Sequence, residues 1–136
     1  MKLDDWKWRG RVYWEDTDAG GVVYHARYLH FLERARSDWL RALGFPQVEL
    51  RDSSGCIFAV TRMRLDFLNP ARLEDELEVT VTVQGLGRSR LDFAQMMAAD
   101  DGRLLVSAEV RVACLDAARL RPVRIPETLR ERMQAL

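Results

Sequence analysis

Histidine and cysteine are scarce in this 136-residue chain, two of each, and neither sits in a cluster with zinc-site spacing. A metal enzyme is therefore not expected. Cys56 and Cys114 fall inside apolar, strand-like runs, where reduced thiols serve as small buried hydrophobes. Charge of one sign is also lacking, since 21 basic and 21 acidic side chains cancel. With no polybasic tract beside a stacking aromatic platform, nucleic acid is not an expected partner. The start, Met1 to Trp8, is charged and carries no apolar run, and no later stretch approaches membrane-spanning length. The expectation is a cytoplasmic chain with no secretory signal and no membrane insertion. There is no internal repeat, low-complexity stretch or linker, and the length suits a single domain over residues 1–136.

Hydrophobic periodicity is what the chain does have. A short first strand is expected over about Arg9 to Glu15, then one long helix over about Ala26 to Leu43. Within that helix Tyr28, Phe31, Leu32, Ala35, Trp39 and Leu43 form one apolar stripe, with Arg27, His30, Glu33, Arg34, Ser37 and Arg41 opposite. Gly44 and Pro46 stop it. From Cys56 the period changes from 3.6 to 2. Ile57, Ala59, Thr61, Met63, Leu65 and Phe67 make one face of a strand. Leu77, Val79, Val81 and Val83 make the next, Leu91 to Met97 a third, and Leu104 to Val112 a fourth. Asp100-Asp101-Gly102 is a hairpin turn signal. Pro122 and Pro126 break the basic tail, and a short last helix is expected to begin near Pro126. One apolar face per strand needs a cover, and the 26–43 helix is the only sizeable one. The pattern predicts an α+β fold, one long helix wrapped by a curved antiparallel sheet of about five strands.

The stretch Glu15-Asp16-Thr17-Asp18-Ala19-Gly20-Gly21-Val22-Val23-Tyr24-His25 places two carboxylates and a glycine pair just before that helix. Such a junction can set a carboxylate beside the free N–H groups of a helix start. An acyl-transfer site needs such a pair: a group that attacks or activates water, and donors for an oxyanion. By spacing alone the same residues are ordinary turn and cap residues. The run from Val12 to Leu29, however, closely resembles the signature of the hotdog-fold acyl-CoA thioesterases. It is most similar to the small bacterial enzymes encoded with the Tol-Pal envelope system, relatives of 4-hydroxybenzoyl-CoA thioesterase. The similarity continues through Glu33-Arg34-Ala35-Arg36, Asn69-Pro70-Ala71-Arg72-Leu73-Glu74-Asp75 and Ala108-Glu109-Val110, so it covers most of the chain.

That resemblance implies an acyl-CoA thioesterase that releases a carboxylic acid and a free thiol without a metal or organic cofactor, coenzyme A being part of the substrate. It makes Asp18 the essential carboxylate, which either attacks the thioester carbonyl or activates water against it. Asp16 is read as a turn residue. The His25 backbone N–H would polarise the carbonyl. The His25 imidazole would contact substrate, orient Asp18 or simply pack. Tyr24 and Tyr28 would shape the acyl pocket or belong to the core, and Gly20 and Gly21 would bring the backbone close to the ligand through a sharp turn. Arg88, Ser89 and Arg90 are the candidates for the coenzyme A phosphates. Here the chain departs from close relatives, which often carry one arginine ahead of Gly-Thr-Ser, and a solvated basic turn is the competing reading. Arg62 and Arg64 are read as surface or subunit-contact charges. An acyl carrier protein could replace coenzyme A as acyl donor. The resemblance also implies a homodimer or homotetramer with the site between subunits. The competing function is a non-catalytic hotdog module that binds acyl thioesters or an envelope-associated complex; a hotdog dehydratase stands behind it, lacking its histidine-centred motif.

Overall fold

The computed structural model describes Leu3 and residues 5–136; Met1, Lys2 and Asp4, part of the charged start, lie outside the described residues. Strand β1 (Trp8–Arg11) leads through a 3-10 turn (Trp14–Asp16) and a loop to helix α1 (Arg27–Leu43). Helix α2 (Gln47–Ser54) follows, then β2 (Cys56–Phe67), β3 (Glu76–Val79), β4 (Thr82–Leu86), β5 (Arg90–Ala99), β6 (Leu104–Asp116) and helix α3 (Glu127–Gln134). The antiparallel sheet runs β1-β3-β5-β6-β2, with β4 pairing the first half of β5. The expected helix-in-sheet architecture is present, with six strands in place of about five.

The whole predicted stripe of α1 is buried, together with Leu40 and, unexpectedly, Arg36. Trp39 meets Phe93 edge-on at 5.5 Å between ring centroids, and Phe31 stacks on Trp8 at 5.9 Å. Gly44 ends the helix at φ +105°, with its N–H donating to Arg41 O and the Phe45 N–H to Leu40 O, a left-handed cap that suits glycine. Cys56 and Cys114 are buried and unpaired as expected. Burial, with Cys56 beside it, pushes the Cys114 thiol up to about 12.

Three local departures have physical causes. β1 is shorter than expected, because Val12 leaves the ladder to bond the Glu74 N–H and Asp75 O, and the chain then tightens into the 3-10 turn. The expected strand through Leu77 and Val83 is two strands. At the break the Met96 N–H donates to the Thr80 hydroxyl at 3.1 Å, so a side chain takes the place of a ladder carbonyl. In β2 a bulge between Val60 and Arg62 shifts the register by one residue. Phe58 and Val60 pair with the buried Cys114 and Val112, and beyond the bulge Met63, Leu65 and Phe67 pair with Val110, Ala108 and Val106. The inward set is thus Phe58, Val60, Met63, Leu65 and Phe67; Ile57 and Ala59 face the other way. Helix α2 was not anticipated, since Leu50 is its only buried residue and one apolar contact makes no period.

Trp39→Ala removes the largest fully buried side chain. It is expected to lower unfolding free energy by about 3–5 kcal/mol in denaturant titration; a loss under about 1 kcal/mol would show that α1 is not the core of the sheet.

Candidate active site

The loop between β1 and α1 is held by backbone bonds on both sides. Thr17 and Val23 form an antiparallel bridge, as do Val22 and Arg72. Between them the Asp18 N–H donates to Val22 O at 2.9 Å and the Gly21 N–H to Asp18 O at 3.0 Å, which closes a tight turn. Gly21 sits at φ +80°, where a Cβ would be strained although there is space for one. The Gly20 N–H donates to Asp18 Oδ1 at 2.8 Å. Asp18 is exposed at the tip of this turn with one carboxylate oxygen fixed.

Asp16, two residues earlier, is in a different position. It is buried, its Oδ2 accepts the Tyr13 N–H at 2.9 Å, and its Oδ1 lies 3.2 Å from Arg27 Nε. It ties the 3-10 turn to the first residue of α1, the turn role expected of it.

Helix α1 begins without a cap. Ala26 at the N-cap offers no side-chain acceptor, and the first turn carries no acidic residue. Among the described residues the His25 and Ala26 N–H groups have no hydrogen-bond partner, while the Tyr24 N–H is taken by Asp16 O. A helix start with free donors stabilises negative charge. The His25 side chain is exposed, its ring 4.6 Å from that of the half-exposed Tyr24. Tyr28 is buried, packed edge-on against Phe67, and its hydroxyl accepts the Ala71 N–H at 3.0 Å. Of the two roles expected for Tyr28, the structure favours the core one. Burial raises its phenol pKa, the Ala71 bond opposes that, and the charges of Asp18 and Asp75 add to the rise.

Arg88, Ser89 and Arg90 lie in the β4–β5 hairpin. Their carbonyls are used by the Ile125, Cys114 and Gly87 N–H groups, and Arg90 Nε is 3.5 Å from Asp92 Oδ2. Arg90 pairs with Ala113, at the end of the β5–β6 ladder remote from Asp18. The ten residues of β5 span about 30 Å, so one protomer does not bring this triplet and Asp18 together. Two features at the site were not read from sequence. Trp14 is 80 % exposed, four residues before Asp18. Arg103 bonds Asp101, Asp75 and Pro70 O, fastening the β5–β6 hairpin to the 69–75 segment that carries the loop. The Asn69–Asp75 run marked that segment without revealing its role.

One long helix laid into a curved antiparallel sheet is the architecture of a thioesterase-like hotdog protein. The chain belongs to the Thioesterase-like superfamily, whose profile matches residues 12–133. It is 42% identical over 120 residues to the acyl-CoA thioesterase YbgC of Haemophilus influenzae, with 88% of each chain covered. It is 40% identical over 129 residues to the acyl-CoA thioester hydrolase YbgC of Escherichia coli O157:H7, covering 95% of this chain and 96% of that one. Among solved structures, a probable thioesterase from Bartonella henselae superposes with a TM-score of 0.82 at 36% identity, covering 88% of this chain and 98% of the other.

Tyr28→Phe deletes the acceptor for the Ala71 N–H and is expected to cost about 1–3 kcal/mol of stability in chemical denaturation. Gly21→Val places a branched side chain at positive φ. Its expected result is a folded protein with thiol release down at least about tenfold, because the turn that aims Asp18 is strained. A crystal structure with Asp18 unmoved in an inactive Gly21→Val would contradict that cause.

Proposed function

We propose that the chain hydrolyses acyl-CoA thioesters, with Asp18 as the reacting carboxylate and the His25 and Ala26 N–H groups as the oxyanion donors. The hydrolase class rests on relatives named as acyl-CoA thioesterases over nearly the whole chain. The observation that carries the residue assignment is the exposed Asp18 carboxylate, oriented by the Gly20 N–H, ahead of a helix start where, among the described residues, the His25 and Ala26 N–H groups have no partner.

Two routes use these groups. In one, an Asp18 oxygen attacks the thioester carbon, the C–S bond breaks, and coenzyme A leaves as a thiolate that takes a proton from solvent. Water then opens the mixed anhydride. In the other, Asp18 accepts a proton from water as that water attacks, and the same C–S bond breaks. Either way negative charge develops on the carbonyl oxygen, where backbone donors at a helix start lower the barrier. Neither route calls on a metal or an organic cofactor. An acyl group carried on pantetheine of a carrier protein presents the same thioester and is an equivalent substrate class. Among the described residues no helix is long and apolar enough to cross a membrane, and a cytoplasmic site of action fits a coenzyme A substrate.

The site belongs to a homodimer in this reading, with a tetramer as its further assembly. β2 is an edge strand 12 residues long, with Val60, Phe67 and the following Leu68 exposed on or beside it, an edge that calls for pairing. Asp18 lies near the Phe67 end of the sheet and Arg90 near the Cys56 end. Antiparallel pairing of two β2 edges reverses the second sheet, so the partner subunit's Arg88, Ser89 and Arg90 come to the Asp18 end. Three strand spacings, about 15 Å, then separate β2 from the partner's β5, a span that suits coenzyme A phosphates.

Asp18→Asn is expected to lower thiol release from an acyl-CoA panel by about 10²–10⁴ while the oligomer mass and fold are kept. His25→Ala is expected to lose much less, since the donor is backbone. Near-normal turnover by Asp18→Asn would remove the assignment.

A further inference from the structure

Arg36 is the one buried cation of the described residues, 8 % exposed in the third turn of α1. Its Nη1 donates to Gln95 Oε1 at 3.0 Å, and Gln95 Nε2 in turn donates to Leu32 O at 3.1 Å. Gln95 is therefore anchored and neutral. A guanidinium has five N–H donors, and among the described residues no carboxylate lies within ion-pair distance of this one. Glu33, a turn earlier, is engaged by the Ser37 hydroxyl, which also accepts from Gln47 Nε2. Burial lowers the Arg36 pKa and Glu33 offsets only part of that. A buried cation left without a counter-charge is costly, and an apolar side chain would fill the same place without that penalty.

The guanidinium lines a cavity of about 90 Å3 between α1 and the sheet, whose polar side is Glu33, Ser37 and Gln47, already bonded to one another, and whose apolar wall includes Phe58, Val60 and Phe93. An apolar stripe on β2 connects that cavity with the proposed active site. It begins at Phe67, whose ring meets Tyr28, and passes the half-buried Leu65 and Met63 to the half-exposed Val60. Arg36 is nine residues beyond Arg27, about 14 Å along the helix axis. Its side chain leans back towards the helix start. With that lean subtracted, an extended acyl chain of about eight to ten carbons reaches the guanidinium from the helix start. The cavity itself has room only for a terminal group.

We propose that this cavity receives the far end of the acyl group and that Arg36, held by Gln95, selects acyl chains ending in a carboxylate or hydroxyl. The proposal rests on the thioesterase reading, with the carbonyl at the start of α1. A terminal carboxylate would give the guanidinium the charge-assisted, fork-shaped pair that the protomer does not supply. A methyl-ended chain of equal length would leave both the cation and its free donors unmatched, and sites built around a polar group discriminate strongly against such analogues.

The test is kcat/KM for matched coenzyme A thioesters of about eight to ten carbons, methyl-ended against ω-hydroxyl and ω-carboxyl, in wild type, Arg36→Met and Arg36→Lys. Wild type is expected to favour the polar-ended member by at least about tenfold, mainly through KM. Arg36→Met should reverse that ratio, and Arg36→Lys should restore part of it for the carboxylate. Equal kcat/KM for both members of the wild-type pair overturns the proposal without any variant having to fold. An unchanged ratio in Arg36→Met also overturns it. If that variant becomes monomeric with the ratio unchanged, Arg36 serves a carboxylate of a second copy. Wild type that releases thiol from none of the thioesters, short-chain ones included, defeats the hydrolase reading itself and with it this one.

Discussion

Ala71 is where the turn, the long helix and the sheet are fastened together. Its carbonyl accepts the Val23 N–H and its own N–H donates to the Tyr28 hydroxyl. One residue thereby ties the Asp18 loop to the first turn of α1. The neighbouring Val22–Arg72 bridge doubles the tie, and Arg103 secures the same segment to the β5–β6 hairpin. Loops are ordinarily the mobile part of a fold. This one is bonded along both strands of its ribbon, and the two residues at its tip, Gly20 and Gly21, are those that direct the carboxylate. In the proposed mechanism orientation of the reacting carboxylate is worth orders of magnitude in rate, and among the described residues the backbone bonds that hold Asp18 leave its second oxygen without a partner.

The sheet and helix answer a different constraint, that each apolar face be covered. β5 and β6 are covered by α1, and their alternation is regular over most of their length. β2 lies at the edge, where the helix reaches only part of it. Its inward side chains Val60 and Phe67 stay exposed while Phe58, Met63 and Leu65 are half-buried. A strand of 12 residues with free backbone groups on one side and incompletely covered apolar side chains is unfinished as a monomer surface. The bulge at Thr61 matters here, because it brings Phe58 and Val60 onto the same face as Met63, Leu65 and Phe67. Without it Ile57 and Ala59 would take the inward side in place of Phe58 and Val60.

Much of this was legible in the amino-acid order, and the failures are local. The α1 stripe was readable residue by residue because seventeen residues of 3.6-fold period leave little ambiguity. The Asp100-Asp101-Gly102 turn and the β5 and β6 periods were equally clear. Period alone could not reveal the β2 bulge, since Ile57, Ala59 and Thr61 continue an apparent alternation that the extra residue then breaks. Nor could it reveal the gap between β3 and β4, which depends on a threonine hydroxyl taking a ladder bond. In the loop, the family resemblance singled out Asp18 and the glycines; the structure adds that the Gly20 N–H bonds Asp18 Oδ1 and that Gly21 sits at positive φ. It could not tell that Tyr28 is a clamp, because that role depends on Ala71, 43 residues away. In sequence Arg88 to Arg90 read as coenzyme A candidates at the start of a strand; the structure sets them in the β4–β5 hairpin at the end of the ladder remote from Asp18, which spacing along a chain does not reveal.

Asp16 and Asp18 show how environment divides the labour of one short motif. Both are aspartates with the same intrinsic acidity. Asp16 has given up its freedom: it is buried, it accepts a backbone N–H, and it is paired with Arg27. Removing it would leave the half-buried Arg27 without its carboxylate and the Tyr13 N–H without an acceptor, so its chemistry is spent on structure. Asp18 has a single backbone donor on one oxygen and solvent on the other side. A carboxylate can attack a carbonyl or accept a proton from water only with a lone pair that nothing else has taken. The same logic separates Arg27 from Arg36. Arg27 has its carboxylate within the fold and adds to the rigidity of the loop. Arg36 has an amide, a cavity with one apolar wall, and Glu33 nearby but outside ion-pair distance, so its charge lacks a direct partner among the described residues. Among the described residues no fully buried side-chain N or O atom lacks a partner, so the remaining Arg36 N–H groups are reachable from the cavity, and a guanidinium without an ion pair at the far end of an apolar stripe points to what the cavity is shaped to receive.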